Sequence, residues 1–134
     1  TQHWTVELLQ NDADGQPVLV RDTYGMAEGN WAAMQCAQGN YHIPPWIYAV
    51  TLDDHDAFQD APDSVGLLGY YDPFGGGSLF PAFFKTADRV RLVNGPRACD
   101  PQLTCPCGEE GAYLAQSSIQ RVDLIDEAGC AAQI

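Results

Sequence analysis

Apolar and polar residues alternate along much of this chain with the period of a β-strand, in which successive side chains point to opposite faces. In residues 3–10, Trp4, Val6 and Leu8 fall on one side and Thr5 and Glu7 on the other. A second run follows at 17–25, PVLVRDTYG, after NDADGQ. An Asp-Gly pair between two such runs tolerates the positive φ of a tight turn, so the segment predicts a β-hairpin. Residues 88–95 alternate cleanly, with Val90 and Leu92 inward and Arg89 and Arg91 outward. Residues 118–126 place Val122 and Leu124 inward and Arg121 and Asp123 outward, and make a natural partner for 88–95. WIYAVTL (46–52) and VGLLGYY (65–71) supply two more strands.

One segment breaks the alternation. NWAAMQCAQG (30–39) opens on Asn30 as an N-cap, continues with good helix formers and closes on Gly39, which predicts a short helix over about 30–38. Its buried stripe would be Trp31, Met34 and either Cys36 or Ala37. Six strands and one helix in 134 residues predict an α+β, mostly antiparallel β architecture, with residues 1–134 as a single compact domain.

Charge sharpens this picture. The formal net charge is −12, and it is uneven: residues 1–84 hold eleven acids and one base, Arg21. Such a field disfavours nucleic acid and anionic lipid and favours a basic protein or a cation. No apolar run approaches the length needed to span a bilayer, since IPPWIYAVTL (43–52) is interrupted by two prolines.

Five cysteines bear on the compartment. Cys99, Cys105 and Cys107 crowd into a Gly- and Pro-rich stretch, about 95–111, with Cys36 and Cys130 elsewhere. Read locally, the spacing suits neither a zinc ribbon, which needs paired knuckles, nor a CxxC redox motif. A loop so poor in core residues suits disulfide pinning, with Cys36 or Cys130 as the longer-range partner. Disulfides imply an oxidising compartment, and the start at Thr1 rather than Met fits a removed leader, so the protein is expected to be periplasmic or secreted.

The chemistry-bearing motifs are few. His3, His42 and His55 stand at no metal-ligand spacing from one another. No phosphate-binding loop, HExxH, GxSxG or GxGxxG is present, and no catalytic residue or cofactor is assigned. The acidic loop DDHDAFQDAPDS partly imitates a calcium loop through Asp54, Asp56 and Asp60, but lacks the glycine and the closing glutamate of one. GYYDPFGGGSLFPAFF (69–84) surrounds three glycines with aromatics. Tyr70, Tyr71, Asp72, Phe74, Gly75, Gly76, Gly77, Ser78 and Phe80 there form a candidate binding tip.

Together these features predict a small extracytoplasmic bacterial binding protein, an inhibitor or immunity protein that occludes a basic toxin or cell-wall hydrolase. The alternatives are a pilus or secretion-apparatus domain, and a carbohydrate-binding or enzymatic domain.

Overall fold

A computed structural model describes residues 11–75, 81–95 and 100–122. Nine strands occur among them: β1 (Thr23–Gly25), β2 (Ala32–Gln35), β3 (Tyr41–His42), β4 (Tyr48–Leu52), β5 (Phe58–Gln59), β6 (Asp63–Tyr71), β7 (Phe83–Val93), β8 (Tyr113–Leu114) and β9 (Gln120–Arg121). They form one antiparallel sheet in the order β1-β2-β3-β8-β7-β6-β4-β5, and β9 also pairs with β7.

The sheet is organised on β6 and β7, which pair from Asp63↔Val93 to Tyr71↔Phe83 with a register shift between Leu67 and Gly69. Their alternation is as the sequence implies: Val90 and Leu92 are buried, Arg89 and Arg91 exposed. β4 lies against the other edge of β6, from Tyr48↔Tyr71 to Leu52↔Leu67. A side chain at Gly66 would drive a Cβ into the Leu52 carbonyl oxygen, so close packing of β4 on β6 depends on this glycine.

The helix expected over 30–38 is not formed. Trp31, Ala33 and Gln35 are buried while Ala32 and Met34 are exposed, which is the period of a strand, and Met34 is 58% exposed rather than part of a buried stripe. Alanine's helix propensity is overridden by pairing on both sides: Tyr24↔Ala33 with β1 and Gln35↔Tyr41 with β3. Gly39 is a turn residue at φ +82° rather than a helix cap. The α+β expectation with six strands is thus corrected to a nearly all-antiparallel β sheet among the described residues. The short strands β3, β5 and β8 were missed because two residues carry too little periodicity to read.

The turn at 12–16 forms, with the Asp12 carboxylate accepting from the amides of Asp14 and Gln16 and Gly15 at φ +76°. The expected second strand over 17–25 is corrected: Pro17 makes an isolated bridge to Asn11, residues 18–22 form no strand, and Thr23–Gly25 pairs with β2. The hairpin's first arm, with Trp4, Val6 and Leu8, lies outside the described residues, as do Asp123 and Leu124.

One face of the sheet carries the main core, built from Trp31, Tyr41, Ile43, Ile47, Leu68, Tyr70, Val90, Leu92 and Leu114 with two small alanines. Alternation sends the intervening residues the other way. Val93 and Tyr113, paired in register between β7 and β8, join Cys36 and Cys105 in a second, smaller cluster.

Candidate metal centre

The second cluster is where the cysteines gather. Cys36 stands just after β2, in a turn closed by its own amide on the Asn40 carbonyl (2.8 Å) and by the Gly39 amide on its carbonyl (3.0 Å). That turn returns the chain into β3, which delivers His42. Cys105 and Cys107 arrive from a different part of the chain, after a 3-10 turn at Pro101–Leu103 that Asp100 caps. The Gly108 amide bonds the Cys105 carbonyl (3.0 Å), and Gly108 takes φ +86°. This tight turn puts both thiols of the Cys-Pro-Cys-Gly run on one side. β3 pairs with β8 through His42↔Tyr113, which brings the two turns face to face.

The result is a four-donor set. The ligand atoms of Cys36, His42, Cys105 and Cys107 all lie within 4.8 Å of one another. Cys36 Sγ is 3.8 Å from Cys105 Sγ, and His42 Nε2 is 3.3 Å from Cys107 Sγ. Tetrahedral zinc at about 2.3 Å from sulfur and about 2.0 Å from nitrogen spaces neighbouring sulfurs by roughly 3.8 Å, and sulfur from nitrogen by roughly 3.6 Å. A disulfide needs sulfurs about 2.05 Å apart. Cys36, Cys105 and Cys107 are therefore free thiols, and the expected disulfide-pinned loop is corrected. With it goes the cysteine argument for an oxidising compartment. Cys99 and Cys130 lie outside the described residues.

Polar neighbours favour thiolate at this point. The Asn40 side-chain amide donates to Cys105 Sγ (3.3 Å) and the Glu109 backbone amide to Cys107 Sγ (3.4 Å). Burial pushes the Cys105 thiol up, but hydrogen bonds from the Cys107 amide, Asn40 and the neighbouring thiols outweigh it and hold Cys105 below the ordinary thiol range. At Cys107 the Glu109 amide pulls down, yet desolvation and the adjacent Cys105 and Cys36 sulfurs push the thiol up to about 11. Three sulfurs sharing one small volume cannot all ionise alone. A divalent cation removes that conflict by neutralising the thiolates as it displaces their protons.

Sequence reasoning set His42 aside as a lone histidine and Cys36 as a disulfide partner. The local signal for the centre is present only in halves: Cys36-x5-His42 across a glycine turn, and Cys105-x-Cys107 followed by Gly108. Joining the halves requires knowing that β3 pairs with β8.

The other candidates are placed as follows. Asp56 meets Lys85 (2.6 Å) and Asp54 approaches Arg89 (3.8 Å), so these two carboxylates face side-chain cations of β7. Asp53 caps the same loop by accepting from the amides of His55 and Ala57, which lower its pKa. Tyr70 belongs to the core at 2% exposure, packed edge-on to Trp31. Asp72 is buried and accepts from the Phe74 amide, shaping the turn. Tyr71 and Phe74 are exposed, Phe74 at 73%. Gly75 takes φ +50°, while Gly76, Gly77, Ser78 and Phe80 lie outside the described residues. No helix among the described residues is long and apolar enough to cross a membrane.

The described residues have the architecture of an antiparallel β unit with a Cys3His donor set beside β3 and β8. No protein-family profile matches it, and no solved structure does. It is 34% identical over 82 residues to a long-chain-fatty-acid–luciferin-component ligase of Aliivibrio fischeri, a match covering 61% of this chain. The matched stretch spans 21% of that ligase's length.

Proposed function

We propose that this chain binds one zinc ion through Cys36, His42, Cys105 and Cys107, and that the ion is structural. The observation that carries the reading is the convergence of three sulfurs and one imidazole nitrogen within 4.8 Å of one another. Soft thiolates with one imidazole select zinc over the hard cations, and four protein donors fill the coordination sphere, which suits a structural ion rather than one that activates water. The ion would fasten segment 100–112 to the β2–β3 turn, two parts of the chain that otherwise share only short pairings.

The partial likeness to a long-chain-fatty-acid–luciferin-component ligase supports a role as a metal-fastened β module in a ligase of that kind. Metal analysis of protein purified without chelator tests the metal reading: about one zinc per chain is expected. Protein free of zinc that also gives no cobalt–thiolate absorption when reduced and loaded with Co2+ overturns it.

A second reading, contact with a basic protein partner through Tyr71 and Phe74, is favoured by the exposure of these two side chains and by the net charge of −12. Phe74→Ala should weaken such a contact at unchanged thermal stability.

A further inference from the structure

His42 has a second nitrogen that the metal reading does not use. Its side chain is only 5% exposed, and Nδ1 is buried with no hydrogen-bond partner among the described residues. Nε2 faces Cys107, so Nδ1 must carry the proton when Nε2 coordinates, because a neutral imidazole has one donor and one acceptor nitrogen. A buried N–H without an acceptor is costly. The nearest acidic group is Glu109, whose Oε2 stands 3.8 Å from Nδ1. That is about 0.9 Å beyond an ordinary N–H···O contact. The Glu109 side chain is 61% exposed, so a rotamer change can close the gap without disturbing the packing.

Glu109 is also tied to the centre through its backbone, whose amide donates to Cys107 Sγ. One residue thus bonds a ligand from the Cys-Pro-Cys turn and stands near a ligand from β3. Resting on the metal reading above, we infer that Glu109 is a positioning residue for the centre: its carboxylate accepts the His42 Nδ1 proton, fixes the tautomer and aims Nε2 at the ion. Carboxylate–histidine–metal arrangements work this way, with the outer carboxylate holding the ring and raising its basicity. Glu110, the adjacent acid, is exposed and carries the same charge, which makes it the matched control.

The test uses the full chain, reduced and metal-free, titrated with Zn2+ against a chromogenic chelator, alongside Co2+ spectra and nitrogen-15 NMR of the histidine rings. Glu109→Ala should weaken zinc binding about 10- to 100-fold. Glu109→Gln, which keeps an acceptor oxygen, should recover part of that loss, and Glu110→Ala should stay near wild type. In the zinc-loaded wild type the His42 Nδ1–H signal should resist exchange with water, and it should broaden in Glu109→Ala.

Equal weakening by Glu109→Ala and Glu110→Ala would reduce the effect to general charge and overturn the inference. An unchanged affinity and Nδ1–H signal in Glu109→Ala would overturn it as well. Failure of the wild type itself to bind zinc is a different result, and it removes the metal reading first.

Discussion

Two neighbouring regions of the sheet are held together by different means. Around β4, β6 and β7 the strands are long, and β6 pairs with β7 along nearly its whole length. Leu68 and Val90 are fully buried there, and the hydroxyls of Thr51 and Ser64 bond one another at 2.6 Å in the interior. Around β3 and β8 each strand is two residues long, and the adjoining 100–112 segment forms its own turns over a core of four buried residues, two of them cysteines. Extended pairing over apolar side chains stabilises one region without help. In the other, Tyr41 and Leu114 reach the main core, but segment 100–112 has little apolar area of its own to offset the entropy of ordering its turns, and there the proposed zinc ion would substitute for a core.

The sharpest way to break this contrast is to remove a ligand. Cys105→Ser should lower zinc affinity by roughly a thousandfold or more, given the ~10–16 kcal/mol of apparent binding typical of structural zinc. Hydrogen exchange should then accelerate in β3, β8 and residues 100–112, while β4, β6 and β7 keep their protection. Simultaneous loss in both regions would show that they form one cooperative unit.

The converse change is Leu68→Ala, at a side chain with no exposed surface. It should cost about 2–5 kcal/mol in denaturant unfolding of the zinc-loaded protein. The zinc affinity of the folded molecule should hardly move.

Zinc binding must compete with protons. The metal-free centre holds protons that the loaded centre lacks, Cys107 among them with its thiol raised to about 11. Apparent affinity therefore rises with pH, and it should fall about tenfold or more per unit as pH drops below neutrality. Chelator competition at several pH values measures this slope; a flat profile would exclude thiolate ligation.

The smallest expected effect lies on the wet face of the long strands. Arg91 clasps Asp63 through both carboxylate oxygens, at 2.9 and 2.6 Å, and this hydrogen bonding holds the Asp63 carboxyl below its usual range against a partial burial penalty. A carboxyl with a depressed folded-state pKa contributes stability above its unfolded value of about 3.9, and that contribution disappears as pH falls through the folded value. The pair is half exposed on the Arg91 side, so Asp63→Asn should cost no more than about 1 kcal/mol at neutral pH, with the difference from wild type vanishing in acid. Thermal unfolding at pH 7 and below pH 3 measures both limits.

Much of the long-stranded region was legible from local pattern. Val90 and Leu92 against Arg89 and Arg91 identified the second half of β7 and its faces, though not its start at Phe83, and the apolar runs at 46–52 and 65–71 located β4 and β6. Residues 30–38 misled because Ala32, Ala33 and Met34 favour a helix in isolation, while their neighbours in space impose a strand. The metal centre was the least legible feature. Cys36 and Cys105 are 69 positions apart, and His42 and Cys107 are 65 apart, beyond any local spacing rule.

The sequence by itself determined which positions of the long strands face the core, where the chain turns at 12–16, and how acidic the chain is, since each of these depends on residues within a few places of one another. The tertiary structure alone decided that Cys36, Cys105 and Cys107 gather with His42. Strand pairing sets distances between residues far apart in sequence, and only the antiparallel register of β2 with β3 and of β3 with β8 turns two unremarkable half-motifs into four donors around one point.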